Sequence, residues 1–208
     1  MLADPSPASY PCLAFTVDRP FVAKFFLLLQ QGVEIRRRVG LNVDLFLRQE
    51  IGATTETIDK IQSIILDGKP VDDIGSSLLQ DGSTLALSAA LPGLVGATLR
   101  RGGAYSSFRS AITYHETGKA ITLEEGWVCV KIFNLLMAEL GPDLLRKGVL
   151  LRSSDLLGFI KVRTKDFRKG CSATFEGKSI DIGELEAGTE LALKDKVFLI
   201  VNVRLVNA

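Results

Sequence analysis

The chain has 208 residues, 25 Lys and Arg against 24 Asp and Glu, a formal net charge of +1, and 47% apolar residues. That much apolar content with so little net charge excludes a disordered chain, and it leaves no global field for holding nucleic acid or an anionic membrane. The single histidine removes His-rich metal sites and hydroxyl–histidine triads from the expectations, so no metal and no cofactor is expected.

Residues 1–20 carry Pro5, Pro7, Pro11 and Pro20 among small residues and read as an extended arm. No basic stretch followed by an apolar run opens the chain, so no secretory signal is expected. Val22–Leu29 is an apolar run of strand type, Gln30-Gln31-Gly32 a turn, and Val33–Val39 begins with the alternation of a half-buried strand; together they predict a hairpin. Asn42 suits a helix N-cap, with Val43, Phe46, Leu47 and Ile51 on one face and Gly52 as the stop. Ile61–Leu66 predicts another strand, Asp67-Gly68 a tight turn, and Asp81-Gly82 a second turn before a strand at Thr84–Ala90.

Residues 93–107 are rich in Gly and Ser and predict a linker between a first subdomain at 21–92 and a second at 108–208. Leu85–Leu99 is the longest apolar-looking stretch. It falls short of the ~20 residues a membrane span needs and is broken by Ser88, Pro92, Gly93 and Gly96. In the second half, Ala111–Tyr114 and Ala120–Leu123 predict a hairpin around Glu116-Thr117-Gly118-Lys119. Thr122 and Glu125 have capping-box spacing before an apolar run, Trp127–Leu140, read as a buried helix that Gly141-Pro142 ends. Shorter helices are expected at Asp143–Lys147 and Ser154–Val162. Strands follow at Ala173–Phe175, Lys178–Ile182, Glu190–Leu193 and Val197–Leu205.

Leu66-Asp67-Gly68-Lys69-Pro70-Val71-Asp72 parallels Phe175-Glu176-Gly177-Lys178-Ser179-Ile180-Asp181, and Asp81–Leu87 parallels Ala187–Leu193. The two halves are either diverged copies of one α+β unit or two uses of the same hairpin grammar. The predicted fold class is α+β.

The hairpin, the helix, Leu66-Asp67-Gly68-Lys69-Pro70-Val71 and Gln80-Asp81-Gly82-Ser83-Thr84-Leu85-Ala86-Leu87 resemble a β-grasp, ubiquitin-like domain over residues 22–96. The nearest flavour is the small sulfur carriers of thiamine and molybdopterin biosynthesis. The resemblance implies chemistry at a free C-terminal Gly-Gly. At the corresponding place this chain has Gly93-Leu94-Val95-Gly96, and its Gly-Gly pair is Gly102-Gly103 in mid-chain, so a carrier would require proteolysis after Gly103. The resemblance therefore speaks for fold more than for conjugation.

No acid occurs from residue 82 to 115, whereas Arg100, Arg101 and Arg109 do. With Gly93, Gly96, Gly102 and Gly103, they form the candidate site for a small anion, cradled by backbone N–H groups. Lys161, Arg163, Lys165, Arg168 and Lys169 make a basic patch with Phe159 and Phe167 interleaved. Nucleic-acid grooves use that pattern, but here it reads as a solvated face. Gly68-Lys69 and Gly177-Lys178 lack the glycine five positions earlier that a phosphate loop requires; Ser63 and Ser172 stand there. His115 beside Glu116 has no evident third partner, and Asp72 and Asp73 would diverge on a strand. Three cysteines, Cys12, Cys129 and Cys171, are too far apart for a zinc or disulfide motif and fit a reducing, cytoplasmic compartment. Cys171 follows Arg168-Lys169-Gly170, and nearby cations can depress a thiol pKa; the plainer reading is an ordinary reduced cysteine.

The functional expectation is a non-catalytic interaction module that binds another protein or a second copy of itself. The alternatives are an enzyme or anion-binding protein using the segment 93–109, and a processed modifier ending at Gly103.

Overall fold

The computed structural model describes residues 7–105, 109, 112–114, 122–163, 165–187 and 194–204. In chain order its main elements are β1 (Cys12–Val17), α1 (Phe26–Gln31), β2 (Val33–Val39), α2 (Val43–Leu45) and α3 (Thr55–Lys60). Then come β3 (Ser63–Leu66), β4 (Lys69–Pro70), β5 (Thr84–Ser88), α4 (Gly93–Leu99), β6 (Glu124–Phe133) and α5 (Leu136–Lys147). The remainder are β7 (Val149–Arg152), α6 (Ser153–Lys161), α7 (Lys165–Lys169), β8 (Cys171–Phe175), β9 (Lys178–Ile180), α8 (Ile182–Ala187) and β10 (Lys196–Val203). The fold is mixed α and β, as expected. It divides into two compact units, one of Met1–Val33 with Gly141–Ala208 and one of Glu34–Leu140.

In the first unit the strands run in the order β7-β10-β1-β8-β9. β1 lies parallel to β10, with Phe15 opposite Val201, and antiparallel to β8, with Phe15 opposite Ala173. β1 alternates, burying Leu13, Phe15 and Val17. The residues expected as an extended arm thus contain a central strand; the alternation in Cys12-Leu13-Ala14-Phe15-Thr16-Val17 was the signal, obscured by the flanking prolines. The strand expected at Val22–Leu29 is corrected to a 3-10 turn at Arg19–Phe25 running into α1. Phe25, Leu28 and Leu29 are buried, an i, i+3, i+4 face. A short apolar run fits strand or helix equally well by periodicity, and packing decides here. Phe25 sits 5.3 Å from Phe15, 4.8 Å from Phe159 and 5.8 Å from Phe167 between ring centroids.

In the second unit the order is β4-β3-β5-β6-β2. β3 is antiparallel to both β4 and β5, and β5 is parallel to β6. Asp67 and Gly68 both take positive φ, 50° and 78°, the twist a two-residue hairpin turn requires. Asp67 then accepts the Thr84 N–H at 2.7 Å, tying the turn to β5. Asn42 caps α2 as expected, its Oδ1 accepting the Leu45 N–H at 2.8 Å, and Gly52 ends the following π-turn in the left-handed region.

The helix expected at Trp127–Leu140 is corrected to strand β6, followed by a helix that begins only at Leu136. Val128, Val130 and Ile132 are fully buried and alternate with half-buried neighbours, so the period is two and not 3.6. Thr122 and Glu125 consequently cap nothing. α5 runs through Gly141-Pro142 to Lys147. Of the predicted second-half hairpin, most lies outside the described residues, as do His115, Glu116 and Glu190–Leu193. No helix among the described residues is long and apolar enough to cross a membrane.

Phe25→Ala would empty the centre of the four-ring cluster. We expect a loss of ~3–5 kcal/mol, read from a lowered midpoint in urea unfolding.

Candidate functional site

The sequence marks residues 93–109 of the second unit as unusual, and the described residues from Ser88 to Gly103 carry a series of hydrogen bonds. After β5, the Ser88 hydroxyl donates to the Ala90 carbonyl at 3.0 Å. Pro92 sets the start of α4 and Gly93 takes φ +68°. Gly96 is buried. A Cβ there would stand 1.6 Å from the Leu91 carbonyl oxygen, so only glycine lets the helix lie flush on the preceding turn. The residues read as a linker therefore hold a helix whose glycine is required by close packing.

Beyond α4 the chain is pinned to the residue before β3 and to the bend after β4. The Arg101 N–H donates to the Gln62 carbonyl at 2.7 Å, and the Gly102 N–H to Asp72 Oδ1 at 3.2 Å. Arg109 closes the arrangement. Its Nε donates to the Thr98 carbonyl at 2.6 Å. One terminal nitrogen donates to Asp72 Oδ2 at 3.0 Å and to the Thr113 hydroxyl at 3.1 Å. The other donates to Asp72 Oδ1 at 2.7 Å and to the Arg100 carbonyl at 3.2 Å. A guanidinium has five N–H donors in a fixed fork, and all five are used. Arg109 is 5% exposed. The geometry thus gives Arg109 a structural task. Its charge is met by Asp72, which faces it bidentately, and no donor is left for a ligand.

Asp72 is not legible as a site residue in the sequence, where it stands beside Asp73 as if on a strand. The connection after β4 is a bend, so the alternation argument did not apply. The available signal was the run without acids from 82 to 115, in which a buried arginine must find its carboxylate elsewhere in the chain.

The backbone cradle also lacks donors. Gly96, Gly102 and Gly103 give their N–H groups to Pro92, Asp72 and Arg100. What remains outward is side-chain surface. Leu94 is 75% exposed and Val95 64%. Arg100 is exposed and Arg101 half-exposed, and among the described residues no carboxylate or carbonyl takes either guanidinium. Two large aliphatic side chains thus stand in water beside two cations.

The basic patch at 161–169 belongs to the first unit. Phe159 and Phe167 are buried in the ring cluster, so they present no faces to a base. Arg163 lies over the Phe159 ring at 4.0 Å from its centroid and donates to the Phe159 carbonyl at 3.1 Å; burial lowers its pKa. It is a cover for the core. Lys161 and Lys169 are exposed, Arg168 is half-buried, and Lys165 opens α7. Among the described residues no group of three or more His, Cys, Asp or Glu is placed to hold a metal. Cys171 is corrected in sign: burial, with the Asp18 charge adding and Arg204 opposing, pushes its thiol up to about 11.

No protein-family model matches the chain, and no curated protein or solved structure is significantly similar to it.

Two outcomes are expected. Arg109→Lys replaces five donors by three and should cost about 2–3 kcal/mol locally; faster exchange of the Arg101 amide and faster tryptic cleavage after Arg100 would report it. Cys171, with its thiol raised, holds little thiolate at pH 8. It should react with a disulfide reagent far more slowly than after unfolding, and equal rates would refute the burial argument.

Proposed function

We propose that the protein is a non-catalytic interaction module of a reducing compartment, docking a protein partner on the surface formed by α4 and the turn after it. The observation that carries this is the pairing of rigidity with exposure. Arg109 and Asp72 hold the segment with six hydrogen bonds between them and their surroundings, counting Gly102. The same segment leaves Leu94, Val95, Arg100 and Arg101 facing solvent. A surface ordered in advance loses less entropy on binding. The three free cysteines, Cys12, Cys129 and Cys171, agree with the compartment.

We further read each unit as a β-grasp-like sheet and the chain as a diverged duplication. Both units place an acid-Gly hairpin at one sheet edge, next to a strand antiparallel to it and then a parallel pair. The turns agree in backbone, with Glu176 and Gly177 at φ 50° and 75° against 50° and 78° for Asp67 and Gly68. The departure from the resemblance is that β2 neighbours the later strand β6 and not a strand at 22–29. A processed modifier ending at Gly103 is disfavoured, since the hydrogen bonds at Arg101, Gly102 and Gly103 keep that segment out of the extended form a protease requires.

The test is a photo-reactive benzoylphenylalanine introduced at Leu94, with exposed Val162 as the control position. Irradiation of cells expressing each variant should give a discrete protein adduct from position 94 only. No adduct above the control would sink the module reading.

A further inference from the structure

The second unit carries, besides the α4 surface, a second exposed strip of opposite character. Leu123 is 61% exposed and stands directly before Glu124 and Glu125 at the start of β6. Glu124 is exposed, and the Glu125 side chain is 57% exposed with only a marginal approach to Arg36, at 4.0 Å. One surface offers two aliphatic side chains and two arginines. The other offers one aliphatic side chain and two glutamates. Arg100 and Arg101 take no carboxylate within their own chain among the described residues. The two strips are complementary in both apolarity and charge.

Resting on the module reading, we propose that the occupant of the α4 surface is a second copy of this chain, presenting Leu123, Glu124 and Glu125 to Leu94, Val95, Arg100 and Arg101. Each copy carries both halves of the contact. A twofold arrangement makes it twice, another closed rotation repeats it around a ring, and a rotation that does not close extends it into a chain of copies. This also accounts for how a chain of net charge +1 carries a basic stretch without acids: the neutralising acids follow closely in sequence but serve the neighbour. A contact built on three aliphatic side chains and exposed charges is expected to hold in the micromolar range, ~1–100 µM. Exposed ion pairs are screened by salt, so association weakens as ionic strength rises.

The experiment uses sedimentation velocity on the full chain and two charge-altered variants, Arg100→Glu/Arg101→Glu and Glu124→Arg/Glu125→Gln. Circular dichroism confirms that each is folded. The wild type should sediment above the 22.6 kDa of one chain, and each variant alone should associate at least ~100-fold more weakly, since like charges are brought together. Mixing the two variants should restore association, because each then meets the opposite charge. A monomeric wild type overturns the proposal, and so do variants that associate as the wild type does. A mixture that stays monomeric overturns it as well. The crosslink at Leu94 separates this from the broader reading. An adduct with a different protein, or wild-type binding to anionic phospholipid vesicles in place of self-association, overturns the second copy as occupant. Only the absence of any protein adduct overturns the module.

Discussion

The second unit depends at one end on a single buried cation. The Arg109 guanidinium gathers carbonyls from Thr98 and Arg100, the Thr113 hydroxyl and both oxygens of Asp72. None of these groups belongs to a strand ladder, so without the arginine the segment after α4 would have to find other donors or water. A buried charge is costly unless every donor is met and an opposite charge faces it, and both conditions hold. A lysine would supply charge without the planar fork.

Turn and cap chemistry is readable where short-range geometry alone decides it, but not at Thr122 and Glu125, which precede a strand, nor at Gly141-Pro142, which lies inside α5. Asn42, Gly52 and the Asp67-Gly68 turn stand where their residue types suggest. What misled was apolar runs without a clean period. Phe25–Leu29 and Val128–Ile132 were each assigned the other's conformation, since burial on most sides hides the difference between strand and helix. β1 alternates locally, but flanking prolines mask it and its ladder partners, β8 and β10, lie far off in sequence.

The candidate site was half legible. The glycine and arginine content singles out the segment 93–109, but content does not say which groups are already engaged. The structure separates them. Arg109 and the N–H groups of Gly96, Gly102 and Gly103 are consumed internally, while Arg100 and Arg101 face outward beside Leu94 and Val95. The basic patch divides in the same way, with Arg163 folded over Phe159 and Lys161 left in water. The unneutralised cations are local; elsewhere acids and bases are interleaved, in pairs such as Arg48–Asp44 and Arg152–Asp155.

The parallel pairing of β1 with β10 has a consequence for how the chain is made. Phe15 waits for Val201, roughly 180 residues of synthesis later, or some 10–40 s at ordinary ribosome speeds. The second unit is continuous in sequence and emerges whole before β10 does. Leu13, Phe15 and Val17 must meanwhile remain uncommitted, with their apolar faces open to any other strand edge. The first unit is thus completed last, and β1 stays exposed to misassembly until β8 and then β10 arrive.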